Sequence, residues 1–110
     1  MNKVFIIAEA CTNILGYDYA EFCRAVATTG ADAIKIQLFR AEHFPESEQA
    51  QKRALEFPRA RVSEFAAAAH AHGLSAGASV FDAEAVELAA QKLDWLKLAD
   101  QLDRMSKDPK

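Results

Sequence analysis

Positions 4–8, Val-Phe-Ile-Ile-Ala, form an unbroken apolar run rich in β-branched residues, the pattern of a parallel strand covered on both faces. A loop with Asn13 and Gly16 follows, and Asp18 with Glu21 three residues on resembles a capping box. It opens a helix whose apolar face holds Phe22, Cys23 and Val26 and which stops at Gly30. Residues 33–38 then alternate strictly: Ile34, Ile36 and Leu38 on one face, Lys35 and Gln37 on the other. The stretch 40–57 has no periodic stripe and reads as a long polar loop, beyond the ~2 to 6 residues usual for such connections. Val62, Phe65, Ala66 and Ala69 mark an alanine-rich helix ending at Gly73, and 75–81 a strand of small side chains. Asp82 is placed as the N-cap of a helix with Val86, Ala89, Ala90 and Leu93 buried, and 94–99 as a fourth strand with Lys97 opposite Leu96 and Leu98.

Strands alternating with helices predict a parallel α/β sheet. Polar side chains at strand centres choose between its two forms. A doubly wound sheet would bury them against helices at high cost, whereas a barrel interior opens to a site at its C-terminal rim. The expected fold is therefore α/β, a partial TIM-type (β/α)8 barrel of about three βα units plus a fourth strand, a half-barrel. Residues 1–100 make up that half-barrel, and 101–110 are a polar tail or the start of a truncated helix, with Leu102 and Met105 sharing a face. The first strand shows no proline or bulge signal. Its edge, and the inner-face residues Phe5, Ile7, Ala33 and Trp95, are expected to border water unless another strand covers them.

Composition narrows the functional classes. The 110 residues are 51% hydrophobic and 26% charged with a formal charge of −3, an ordinary globular balance. No lysine- and arginine-rich stripe offers a footprint for nucleic acid, and no apolar run approaches the ~20 residues of a membrane helix, so a cytoplasmic protein is expected. Cys11 and Cys23 lack metal or redox spacing and read as reduced thiols.

Glu9 on the first strand, Lys35 and Gln37 on the second, Ser79 on the third and Lys97 on the fourth all fall toward the strand ends where parallel α/β folds place ligands. Two lysines there imply an anion. Interior ion pairing of these lysines with Glu9 or Asp100 is the competing explanation. His70 and His72, two apart on a helix and so roughly 200° apart around it, do not chelate one metal from one face. His43 reads as a solvated loop histidine and Trp95 as core, and no phosphate-loop or nucleophile-elbow motif is present.

The string Ile6-Ile7-Ala8-Glu9, then Asn13 and Gly16, then 30–37, Gly-Ala-Asp-Ala-Ile-Lys-Ile-Gln, resembles the start of the sialic acid (N-acetylneuraminate) synthase family of phosphoenolpyruvate-condensing barrels. Phe39-Arg40-Ala41-Glu42 continues it. Ser79-Val80-Phe81-Asp82 is similar to the family's Ser-Thr-Pro-Phe-Asp segment, and Lys97-Leu98-Ala99 to its Lys-Ile-Ala-Ser strand. The chain departs from the family at Ile14, where a histidine is usual, and at Asp100, where a serine is usual.

The resemblance implies a transferase that joins phosphoenolpyruvate to an N-acylated amino sugar aldehyde, with a divalent metal, manganese or magnesium, polarising the aldehyde. It places Glu9 at the reacting centre and Lys35, Gln37, Ser79 and Lys97 around the phosphoenolpyruvate anion. The family's metal-binding histidines lie on later strands, so no metal ligand is assigned here. The expected function is an N-terminal fragment of such an enzyme, inactive alone and awaiting a missing C-terminal half. The alternative is a homodimeric half-barrel that binds small phosphorylated or carboxylated anions without synthase chemistry; a non-catalytic interaction module and a related phosphoenolpyruvate aldolase are further alternatives.

Overall fold

The computed structural model describes residues 4–99. The sequence expectations for Asp100 and for the tail 101–110 lie outside the described residues. Four strands, β1 (Ile7–Cys11), β2 (Ala33–Leu38), β3 (Ser75–Val80) and β4 (Trp95–Leu98), form one sheet in the order β1-β2-β3-β4, every pair parallel. Helices α1 (Tyr19–Ala27), α2 (Glu46–Ala54), α3 (Val62–Ala71) and α4 (Ala83–Lys92) lie in the connections. Asp18 caps α1 by accepting from the Glu21 amide at 3.1 Å, while the Glu21 carboxylate turns to Arg24 instead of closing a capping box. Asp82 caps α4 through the Ala85 amide at 2.8 Å. Gly30 and Gly73 take left-handed backbone, φ 86° and 75°, and turn the chain from α1 and α3 into the next strand.

One core joins Ile34, Ile36, Leu38, Ala76, Ala78 and Val80 of the sheet to Cys23 of α1, Phe65 and Ala69 of α3 and Ala85 and Ala89 of α4. The helices thus cover a single face of the sheet, and the other face carries the polar alternation. That asymmetry is a barrel wall, not a doubly wound sheet, and it makes the fold an α/β half-barrel.

Several expectations are corrected. The first strand begins at Ile7 rather than at position 4, because pairing with Ala33 starts there; Val4, Phe5, Ile6 and Ile7 are at least 47% exposed, uncovered at the sheet edge. That strand also carries a register irregularity between Glu9 and Cys11, where Cys11 adopts φ 53°, so the absence of a bulge does not hold. The polar stretch after β2 contains a 3-10 turn (Ala41–His43) and α2. None of the residues of α2 is buried, which is why it has no apolar stripe; Glu46 and Glu48 in its first turn and Lys52 and Arg53 in its last complement the helix dipole instead. Ala90 is exposed, the buried positions of α4 being Ala85 and Ala89, and Ala33 is fully covered.

Candidate anion site on the open face of the sheet

The strand register stacks the open face in two layers. Glu9, Lys35, Gly77 and Trp95 are register partners in sequence across the sheet, and Gln37, Ser79 and Lys97 form the next row toward the C-terminal ends. In the first row the Lys35 ammonium stands 2.8 Å from a Glu9 carboxylate oxygen; the lysine side chain is 10% exposed and the glutamate 44%. Burial of that cation is made tolerable by the partner across the strand pair. Glu9 and Lys35 are therefore mid-strand, one layer below the rim where the sequence placed them, and the interior ion pair considered from sequence exists between these two.

Trp95 belongs to this open face rather than to the core. Its indole covers Gly77 and donates from Nε1 to Ser75 Oγ at 3.0 Å, so the ring forms a half-buried floor beside the ion pair. Only glycine at 77 leaves room for it. Above, Ser79 is 7% exposed, Gln37 is half-buried and Lys97 is exposed, with no ion-pair partner among the described residues. At the end of β1 the Cys11 thiol lies near Glu9; burial pushes the thiol up, and the neighbouring carboxylate adds to the rise. Cys11 was not among the sequence candidates, since its place beside Glu9 depends on the irregular register.

A second cluster fixes the rim. Arg59, its side chain 13% exposed, grips Asp82 with two bonds of 3.0 and 2.7 Å and reaches Glu84 at 3.0 Å; Arg40 also bonds Glu84. Burial alone would raise the Asp82 carboxyl, but the Arg59 bonds and the Ala85 amide outweigh it and hold the group below the usual carboxylate range. His43 packs against this cluster, half-buried, its Nδ1 3.8 Å from Asp82, so it is not the solvated loop histidine expected. Phe39, Phe44 and Phe81 meet edge-on or tilted beside it, with the Lys52 ammonium 4.7 Å from the Phe44 ring centre. His70 bonds Asp94 at 2.7 Å, and the same carboxylate oxygen accepts from the Ala76 amide, pinning α3 to the start of β4. Among the described residues no group of three His, Cys, Asp or Glu is placed to hold a metal, and no helix is long and apolar enough to cross a membrane.

No protein-family model and no curated protein matches the chain. Among solved structures, the N-acetylneuraminic acid (sialic acid) synthetase from Leptospira borgpetersenii serovar Hardjo-bovis, in complex with citrate, superposes with a TM-score of 0.82 at 25% identity, over 96% of this chain. The chain has a sialic acid synthase-like fold. The match takes in 39% of the synthetase chain, so the chain spans about two fifths of the length of that enzyme. Spore coat polysaccharide biosynthesis protein E from Chromobacterium violaceum shares the fold at a TM-score of 0.69 and 20% identity, over 98% of this chain and 39% of its own. The four parallel strands alternating with helices thus match the partial fold of a sialic acid synthase.

Proposed function

We propose that this chain is the N-terminal wall of a sialic acid synthase-like barrel and supplies the lysine side of a phosphoenolpyruvate site, without complete synthase chemistry of its own. The observation that carries this reading is the Lys35–Glu9 pair lying one register step from Ser79 and Lys97 on the same open face. Two ammonium groups suit a ligand with separate phosphate and carboxylate charges, because each lysine acts as a point charge with three donors. Ser79 and Gln37 add neutral donors between them, and Glu9 holds Lys35 in place until the anion arrives. The citrate in the synthetase neighbour, a multiply charged carboxylate, is compatible with such a site.

Condensation in the family implies a divalent metal to polarise the aldehyde. The described residues do not fit one, since none of their His, Cys, Asp and Glu side chains gather in threes. Glu9, at the reacting centre by resemblance, would accept or return a proton beside the bound anion, which is chemistry available to a half-exposed carboxylate.

Calorimetric titration of phosphoenolpyruvate and of phosphate into the chain tests the reading. Lys35→Ala is expected to weaken binding by about 1.5–3 kcal/mol, the range for charge-assisted hydrogen bonds. Equal affinities would remove Lys35 from the site. With N-acetylmannosamine and manganese present, phosphate release should stay at the blank level, and turnover would show that the wall alone suffices.

A further inference from the structure

We infer that His70 is a proton-operated positioning residue: through Asp94, its charge state sets how firmly the start of β4 is seated on β3, and with it where the Trp95 indole lies on the inner face. This positioning goes beyond the anion reading and holds whether or not a ligand binds above the indole. A contiguous set of bonds carries it. His70, in the last turn of α3, stands 2.7 Å from Asp94 Oδ2. The same oxygen accepts from the Ala76 amide at 2.7 Å, and the Asp94 amide donates to the Ala76 carbonyl at 2.8 Å, so Asp94 engages both backbone groups of Ala76. The adjacent residues repeat the contact on the inner face, where Trp95 Nε1 donates to Ser75 Oγ at 3.0 Å and the ring covers Gly77. Two pairs of chain neighbours, Asp94–Trp95 and Ser75–Ala76, thus join the helix side of the sheet to its inner face.

One group in this set changes charge near neutral pH. The Ala76 amide first, and His70 second, hold the Asp94 carboxyl below its usual range, so it stays ionised there and the proton that comes and goes belongs to the imidazole. An ionised carboxylate only accepts, so Nε2 of His70 carries the hydrogen of the shared bond whether the ring is charged or neutral. What the proton changes is strength. With the imidazolium the contact joins opposite charges and is the stronger kind; with the neutral ring the carboxylate loses its countercharge and keeps the Ala76 amide. The Ser75 hydroxyl lies near Asp94 and adds to the lowering of its carboxyl, so a carboxylate that His70 holds less firmly leans toward the serine that anchors the indole. The titratable groups around the set are Asp94 facing His70, His72 at the C-cap of the same helix, and Lys35 and Glu9 in the row of Gly77 and Trp95.

Emission of the sole tryptophan reads the device, followed from about pH 5 to 8 in the full 110-residue chain without added anion. The parent is expected to shift its emission maximum in one step across that range while its far-ultraviolet circular dichroism stays constant. His70→Gln, which keeps a donor and loses the charge, is expected to abolish the step and to emit throughout as the parent does at the alkaline end. Ser75→Ala cuts the last link and is expected to remove most of the step while the His70 ring protons still titrate by NMR. His72→Gln is expected to retain the step. A flat parent profile overturns the inference. So does a step that survives in His70→Gln, one that disappears in His72→Gln, or one that comes with loss of the helical signal.

Discussion

Replacing Gly77 with alanine is a demanding test of the inner face, because the floor of the site depends on what that position lacks. A methyl carbon there would fall well inside 3.0 Å of Cε2, Cδ2 and Cζ2 of Trp95. Ordinary carbon contacts need about 3.5–4.0 Å, so the indole must retreat by roughly an ångström or more. It cannot do so without leaving Ser75 Oγ, 3.0 Å from its Nε1. The expected cost is the overpacking strain, about 1–3 kcal/mol, plus the lost hydrogen bond, about 0.5–1.5 kcal/mol. Against it stands the gain of about 0.4–1 kcal/mol from stiffening the unfolded chain. A net loss of about 0.5–4 kcal/mol follows, centred on ~2 kcal/mol. Trp95 is the sole tryptophan, so its fluorescence reports the site directly. Urea unfolding followed at this residue should show a lower midpoint for Gly77→Ala and a red-shifted native emission. Ser75→Ala, which removes only the bond, should cost about 1 kcal/mol and shift the emission less. An unchanged midpoint and emission in Gly77→Ala would refute the placement of the ring over Gly77.

Two further outcomes follow from the rim and the core. Asp82→Ala removes both the α4 cap and the partner of a nearly buried arginine, and should destabilise by about 3 kcal/mol in urea unfolding. Because the Asp82 carboxyl is held below its ordinary value, its contribution is fully present above about pH 3.9 and lost as pH falls through the folded value, so the variant should lose less stability than the parent on acidification in that range; parallel acid curves would refute the pairing. Cys23, fully buried and pushed up to about 11 by desolvation, should stay unlabelled by a thiol reagent at neutral pH until the chain unfolds, while Cys11 labels slowly; equal native labelling rates would contradict both burials.

The fold was legible where side-chain periodicity reports burial. The alternation at 33–38 placed Lys35 and Gln37 opposite Ile34, Ile36 and Leu38, and the strand carries the same two faces in the structure. Asp82 was readable as a cap because the cap signal is local in sequence. What escaped the sequence has a common physical cause: it depends on neighbours supplied by tertiary contact. Helix α2 buries no side chain and so leaves no stripe to read. The frame of β1 is set by where Ala33 pairs, not by where the apolar run begins, and the run at 4–7 is exposed because its own sheet ends there. His43 looked solvated because the Arg59–Asp82 pair beside it is assembled from residues 23 apart.

The same reasoning explains why the site was only partly legible. Residue types at strand positions fix which face a side chain takes, and so collect Glu9, Lys35, Gln37, Ser79 and Lys97 on one surface. They do not fix height along the barrel axis, which comes from register. Register sorts the five into a lower layer, where Lys35 is already neutralised by Glu9, and an upper layer, where Lys97 stands exposed. The two lysines are thus not equivalent. An anion reaching Lys35 would compete with a carboxylate at 2.8 Å, whereas Lys97 is exposed and has no ion-pair partner among the described residues. On the proposed anion-site reading, the exposed lysine would set the first encounter and its salt dependence, and the buried pair would set how selectively an anion is held.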